Sequence, residues 1–269
     1  MSHSKIPFGL TADQQMVDVR SVRRGQKCAC TCPSCRTPLI ARQGTEKAWH
    51  FAHLTRGTHA LTAQQCEFAF FVSVRLMARQ MLAPQFEVVL PDCVGTLDPG
   101  LVNAYRFGVT QSRKVVMQNV RVEERIAGTV VDAIGEVEGF PLVLYLEHPG
   151  RPIPEALHPS NLRGQRVGAV AIDLNRITPS VLFASDDYKG ALSRFLSWDL
   201  PSKSWIYHPR YDQAKARAIA TRPSCNPMKP VADYSCLMCR IQWQAPANTL
   251  ATCPDCGEHL YTQEKKPPA

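Results

Sequence analysis

The chain has 269 residues, which is enough for one domain of ordinary size and small additional modules. With 31 Lys and Arg against 23 Asp and Glu, its formal net charge is +8, which favours nucleic acid as a partner over a basic surface that only maintains solubility. No apolar stretch reaches the roughly 18–20 residues of a membrane span, and the first residues lack the charged and apolar segments of a secretory signal. The sequence therefore predicts a soluble, cytoplasmic protein with no membrane partner.

Eleven cysteines are present, and without a secretory signal closely spaced cysteines indicate metal binding more often than disulfides. In the first cluster, Cys32 and Cys35 form a C-x2-C knuckle, and His50 and His53 follow as an H-x2-H pair. Structural zinc takes four such ligands in a tetrahedron, so these four residues are the predicted zinc ligands. The alternative is a set of buried thiols beside an unrelated histidine pair.

The segment that follows predicts a long helix over residues 62–83. Apolar residues recur at helical spacing from Phe70 onwards, and a proline follows the segment. Thr62 is the expected N-cap of this helix. Within it, the isolated Cys66 is interpreted as a small buried apolar residue.

Segments rich in β-branched and apolar residues come next, separated by Gly and Pro, and they predict strands near residues 86–91, 114–122, 128–137 and 141–148. Residues 158–166 could hold a short helix. Residues 168–174 predict a strand that is apolar enough to be buried on both faces. Two further helices are expected, near residues 186–198 and 211–222.

The order of a helix, a three-strand meander, a short helix and a further strand is that of PD-(D/E)XK nucleases, in which two strand acids hold a divalent cation. Asp132 interrupts an apolar strand, and a buried acid is costly unless it is paired or metal-bound. Glu147 and His148 stand at a later strand end. Together with Glu67 these residues form the predicted catalytic set, with Mg²⁺ or Mn²⁺ as the cation. The alternative for Asp132 is a strand edge that faces water.

Three prolines between residues 223 and 230 indicate a linker over residues 221–233, and a second cysteine cluster follows. Its two C-x2-C knuckles are separated by thirteen residues, which is the spacing of a zinc ribbon. The metal would supply much of the folding free energy of so small a module. The predicted ligands are Cys236, Cys239, Cys253 and Cys256. The ribbon could bind nucleic acid, recruit a protein partner or only cap the chain.

Several of these motifs together resemble the competence protein CoiA-like family, which has a zinc-finger-like N-terminus followed by a nuclease-like domain. Residues 21–53 are similar to the CPxC and HFAH signature of that family, and VVDAI, LVLYLEH, AIDL and a tryptophan then follow in the family order. The resemblance covers roughly residues 20–210 and implies a role in DNA uptake or recombination. It also places Glu67 at a family glutamate. Where the family helix has His and Lys, this chain has Phe71 and Arg75, and Pro149 stands where an assisting lysine would follow Glu147.

The expected fold is α+β or α/β, with a restriction-endonuclease-like core flanked by two small zinc modules. The expected divisions are an N-terminal zinc module at residues 1–60, the nuclease-like domain at 61–220, the linker at 221–233 and the ribbon at 234–262.

Three functions follow from these motifs. The first is a divalent-metal-dependent DNA nuclease. The second is a degenerate nuclease domain that grips nucleic acid, DNA in preference to RNA, without cutting it; it is favoured if Tyr145 and not Glu147 lines the cleft. The third is a zinc-ribbon interaction module. Basic side chains would contact phosphates and make binding depend on salt, and the candidates are Arg163, Arg166, Arg210 and Lys215.

Overall fold

A computed structural model of the protein describes residues 5–54, 66–82, 84–98, 104–222, 231–247 and 249–265. The chain forms two compact units, Met1–Ala218 and Ile219–Ala269. In the described part of the chain, no helix combines the length and the hydropathy that crossing a membrane requires. The expected N-cap Thr62 lies outside the described residues.

The N-terminal part of the first unit consists of short antiparallel strand pairs. Its strands are β1 (Phe8–Leu10), β2 (Met16–Asp18), β3 (Leu39–Arg42) and β4 (His50–His53), paired as β1 with β2 and β3 with β4. Ile6, Phe8 and Phe51 are fully buried, and they belong to the same hydrophobic core as the helix and sheet that follow. The expected division at residue 60 therefore does not separate two cores.

Helix α1 (Ala69–Leu82) follows a turn at residues 66–68. It buries the apolar face that the sequence predicts, with Phe70, Val74 and Met77 in the core. Glu67 lies in the turn before the helix and is exposed, which differs from its expected position on the helix.

A six-stranded sheet forms the centre of the first unit. The strands after α1 are β5 (Phe86–Leu90), β6 (Cys93–Leu97), β7 (Tyr105–Thr110), β8 (Arg113–Val122), β9 (Arg125–Ile126), β10 (Thr129–Val130), β11 (Ala133–Val137), β12 (Phe140–Glu147), β13 (Gly168–Asp173) and β14 (Lys203–Tyr207). The order in the sheet is β14-β13-β12-β11-β8-β5, and within it only β12 and β13 run parallel. The result is a mixed α/β unit. Strands β6 and β7 form a separate hairpin that the sequence did not predict.

The two faces of this sheet are both covered, as the apolar run of β12 requires. Leu144 and Leu146 face the main core beneath α1, whereas Val143 and Tyr145 belong to a second cluster on the other side. Because side chains alternate between the two faces along a strand, one face of β12 packs in the main core and the other packs in the second cluster.

The remaining helices are short and lie between or after the last strands. They are α2 (Pro159–Leu162), α3 (Pro179–Phe183), α4 (Tyr188–Trp198) and α5 (Tyr211–Thr221). Helix α2 lies in the crossover that makes β13 parallel to β12. A crossover of this kind is what a parallel pair of strands needs.

The second unit contains a three-stranded sheet in the order β16-β15-β17, from strands β15 (Val231–Cys236), β16 (Gln242–Pro246) and β17 (Thr262–Glu264). The expected linker at residues 221–233 is partly corrected, because residues 231–233 already belong to β15. Residues 223–230 of that linker lie outside the described residues.

Candidate zinc centres and the buried arginine cluster

Four side chains of the first unit converge on one point: Cys32, Cys35, His53 and Cys66. The Nε2 atom of His53 lies 3.4 Å from the Sγ atoms of both Cys35 and Cys66, and the Sγ atoms of Cys32 and Cys66 are 3.9 Å apart. Zinc bonds of about 2.3 Å to sulfur and about 2.0 Å to nitrogen in a tetrahedron require S···S and S···N separations of about 3.8 and 3.5 Å. The group therefore has the spacing of a zinc site.

The chemistry of these donors also suits zinc. Every cysteine in the described ranges is a free thiol, so no disulfide there competes for the sulfur atoms. Burial raises the pKa of Cys32 to about 11. A thiolate at this position thus needs a cation beside it, which zinc would supply.

The structure corrects one predicted ligand, since Cys66 joins the group and His50 does not. His50 and His53 are three residues apart on strand β4, and side chains at that spacing on a strand point to opposite faces. His50 is buried, and its Nδ1 atom donates to the carbonyl of Ala48 at 2.8 Å. A lone cysteine gives little sequence signal. The sequence placed Cys66 inside the predicted helix, and the structure places it in the turn before the helix begins at Ala69.

The second unit brings together the predicted ribbon cysteines Cys236, Cys239, Cys253 and Cys256. The Sγ atoms of Cys236 and Cys256, one from each knuckle, are 3.8 Å apart, which again matches an S···S edge of a zinc tetrahedron. Both Cys/His groups could bind zinc.

Cys66 links the first zinc group directly to helix α1. The amide of Ala69, the first residue of the helix, donates to the carbonyl of Cys66 at 3.1 Å. Residues Phe71, Arg75 and Arg79 follow at intervals of four along α1, and side chains at that spacing share one helix face. A metal bound by this group would therefore fix the beginning of the helix that supplies the next site.

Asp132 is fully buried at the centre of an arginine cluster. The Nε atom of Arg75 and the Nη1 atom of Arg151 each lie 2.8 Å from a carboxylate oxygen of Asp132, and Nε of Arg79 lies at 3.4 Å. The amide of Leu146 donates to the same carboxylate at 2.8 Å. The alternative of an acid that faces water is excluded by this burial. Both carboxylate oxygens are occupied by cationic or amide donors.

Glu147 and Asp132 have different charged neighbours in the structure. In the described part of the chain neither acid belongs to a group of three or more side chains that could hold a metal ion. Glu147 pairs in register with Asp173 at the ends of the parallel strands β12 and β13. Its pKa is raised, first by burial and then by the neighbouring Asp173 carboxylate. The predicted Mg²⁺ or Mn²⁺ site between Asp132 and Glu147 is not supported.

His148 lies on the α1 side of the sheet, where its ring stacks on Phe71 with centroids 5.9 Å apart. Its Nδ1 atom donates to the carbonyl of Pro149, and its buried Nε2 atom has no hydrogen-bond partner among the described residues. Burial lowers the pKa of His148, and the nearby Arg75 and Arg151 lower it further. Phe71 and Arg75 occupy the positions at which the family resemblance expects His and Lys. Both side chains contact residues of the predicted catalytic set, His148 and Asp132 respectively.

The predicted basic residues lie near helix α5 and the end of strand β14. Arg166 and Arg210 both line one cavity, of about 270 Å³. Arg163 pairs with Asp212 on α5 at 3.2 Å, and Lys215 is exposed on the same helix. Four residues that are scattered along the sequence are therefore distributed around one region of the first unit.

The comparison with known protein families gives a match to the N-terminal part of the chain. The family model described as "Competence protein CoiA, N-terminal domain" matches residues 12–58. This segment contains Cys32, Cys35 and His53 but ends before Cys66. No curated protein and no solved structure gives a significant match to the chain. The N-terminal segment is thus similar to the CoiA N-terminal domain.

Proposed function

We propose that this protein is a zinc-stabilised nucleic-acid-binding protein, with DNA as the favoured ligand, whose nuclease-like centre grips but does not cut. The observation that carries the proposal is the engagement of Asp132 by Arg75, Arg79 and Arg151. The name of the matched N-terminal domain refers to competence, which supports the proposal of a ligand handled during DNA uptake or recombination.

The arginine cluster argues against catalysis by a divalent cation. A cation at Asp132 would have to displace guanidinium groups that already bond both carboxylate oxygens. It would also lie beside three positive charges, and among the described residues Arg79 is the one of the three with a second acidic partner, Glu123. Like charges held in a partly buried site repel strongly. Among the described residues, the acid beside Glu147 is Asp173, at the ends of strands β12 and β13.

The basic region supports binding to a polyanion. Arg166 and Arg210 are exposed, and neither has an ion-pair partner among the described residues. Exposed, unpaired guanidinium groups bind phosphate with bidentate geometry and release counterions on binding. Lys215 adds an exposed positive charge on α5.

The test measures binding and cleavage together. Zinc-loaded protein is incubated with labelled single- and double-stranded DNA, with and without Mg²⁺ or Mn²⁺, over a series of salt concentrations. We expect affinity that falls steeply with salt and no cleavage. For the variant Arg166→Ala/Arg210→Ala, the slope of log K against log salt should become less steep by about 2, roughly one unit for each lost phosphate contact.

Arg125→Ala is the matched control, because Arg125 is exposed on the hairpin at the far end of strand β8 from the cavity. The proposal is refuted if the affinity does not depend on salt, or if both arginine variants behave alike. Cleavage that is lost in Asp132→Ala and Glu147→Ala would instead establish the nuclease. Binding that disappears only on removal of residues 231–265 would favour the ribbon as the interaction module.

A further inference from the structure

The cavity beside Arg166 and Arg210 has an apolar floor. It is lined by residues from the end of β5, the turn between β11 and β12, the start of β13 and the end of β14. Leu90, Val137, Leu142 and Pro209 contribute apolar side chains. Its volume of about 270 Å³ lies just below the range of roughly 300–1,000 Å³ that suits drug-sized ligands. A smaller planar group is the right size.

Three aromatic side chains line this cavity: Phe140, Trp205 and His208. Trp205 and His208 contact each other edge to face, with centroids 4.5 Å apart. The Nε1 atom of Trp205 donates to the carbonyl of Pro91 at 2.8 Å, which fixes the indole ring. Phe140 lines the same cavity and is 54% exposed, although it is a large apolar side chain. An exposed ring such as Phe140, beside an indole that is held in place such as Trp205, is suited to stack on a planar ligand.

Three arginines and one acid, Glu138, line the cavity beside these aromatic side chains, which leaves an excess of positive charge. Arg113 is held by a two-point ion pair with Glu138, at 2.7 and 3.1 Å. Arg166 and Arg210 also line the cavity and lack such a partner among the described residues. The ligand should therefore carry negative charge next to its planar group.

His208 offers a neutral hydrogen-bond donor inside the cavity. Burial, together with the nearby Arg210 and Arg113, lowers the pKa of His208 to about 4. The backbone amide of Arg210 donates to its Nδ1 atom at 3.1 Å. In the neutral ring the proton then resides on Nε2, which can donate to a carbonyl or ring nitrogen of a ligand.

We infer that this cavity accepts one unpaired nucleobase of a single-stranded nucleic acid, stacked on Phe140 and the Trp205 wall, with the flanking phosphates on Arg166 and Arg210. The inference rests on the proposed nucleic-acid binding and specifies its ligand. A base inside a duplex is already stacked and paired, so only an unpaired base can enter. Because every base has a π-face, stacking of this kind tolerates different sequences.

The experiment compares three probes on the full-length, zinc-loaded protein: a single-stranded DNA oligonucleotide that carries one 2-aminopurine, the same strand in a duplex, and free AMP. Phe140→Ala is the test variant. Trp198→Ala is the matched control, since Trp198 is 52% exposed but does not line the cavity. Thermal unfolding of both variants checks that the fold is kept.

We expect wild type to prefer the single strand and to change the fluorescence of 2-aminopurine. Phe140→Ala should weaken single-strand binding by about 5- to 150-fold, the range for one lost base–aromatic stack. Its duplex affinity and its salt slope should not change, and Trp198→Ala should resemble wild type.

Four outcomes overturn the inference. Equal effects of Phe140→Ala on single strand and duplex, or no effect on either while salt-dependent binding persists, would remove the base pocket and leave the proposed function standing. AMP binding as tight as that of the oligonucleotide would make the cavity a site for free nucleotides. The absence of salt-dependent binding to any strand would refute the proposed function as well.

Discussion

Replacing Asp132 by asparagine should lower the free energy of unfolding by about 3–5 kcal/mol, the cost of removing one partner from a buried ion pair. The side chain of Asp132 is 0% exposed, whereas those of Arg75 and Arg151 are 16% and 17% exposed. Asparagine keeps the shape but brings an amide N–H₂ group towards guanidinium donors. The two arginines retain some hydration, so the loss should not exceed this range. It would nevertheless be a large part of the roughly 5–15 kcal/mol that stabilises a typical domain.

The assay is urea unfolding at pH 7, followed by circular dichroism, with the slope against urea compared between variants. Glu147→Gln is the control, because the pKa of Glu147 is raised by burial and by Asp173. Its ionised form is disfavoured in the fold, so loss of that charge should leave stability unchanged or slightly increased.

A loss of less than about 1 kcal/mol in Asp132→Asn, which is what an exposed ion pair contributes, would refute the description of Asp132 as the centre of a buried ion cluster. Addition of Mg²⁺ or Mn²⁺ should leave the Tm of wild type unchanged. A rise in Tm that Asp132→Asn abolishes would return Asp132 to the role of metal ligand.

Further predictions concern the zinc groups and one buried lysine. Bound zinc, measured by mass spectrometry, should fall from two equivalents to one in Cys66→Ser and stay at two in His50→Gln, because Cys66 and not His50 joins the first group; equal losses would restore the predicted ligand set. Cys253→Ser should also lose one equivalent but leave the unfolding of the first unit unchanged, since Cys253 belongs to the second unit; simultaneous loss of both units would contradict this. Burial lowers the pKa of Lys203 from 10.5 to about 8, so its ionised form destabilises the fold below pH 8, and this effect is relieved as the pH rises towards 10.5. Lys203→Met should therefore raise the unfolding free energy by ~2 kcal/mol at pH 7 after allowance for one lost hydrogen bond; a gain that does not shrink between pH 8 and pH 10 would refute the assignment.

Local patterns were sufficient for most of the regular elements. The helical spacing of Phe70, Val74 and Met77 predicts helix α1, and the apolar run of residues 141–148 predicts strand β12. Both elements are present in the folded protein. The hairpin of β6 and β7 was missed because each of its strands contains a glycine, Gly95 and Gly108, and glycine is depleted in strands.

The candidate site could be predicted only where ligands are close in sequence. The C-x2-C spacing identifies the paired cysteines as ligands, but Cys66 joins the first group from a different part of the chain. The H-x2-H pair suggested two ligands, and the strand geometry of β4 allows one. Asp132 was singled out as a buried acid that needs a partner. The partners are arginines that lie 57, 53 and 19 positions away along the chain, and no local pattern could reveal them.

The attachment of Cys66 to the start of helix α1 has a consequence for the lifetime of the protein. Helix α1 contributes Val74 and Met77 to the core that the N-terminal strands and the sheet share. Loss of the metal would release the first turn of this helix. The packing of the N-terminal strands and of the sheet against the helix would then weaken together. Zinc supply would thereby set the fraction of molecules open to proteases, because degradation follows the population of opened forms. Starvation for the metal should then remove the protein through turnover, well before any effect on its ligand affinity.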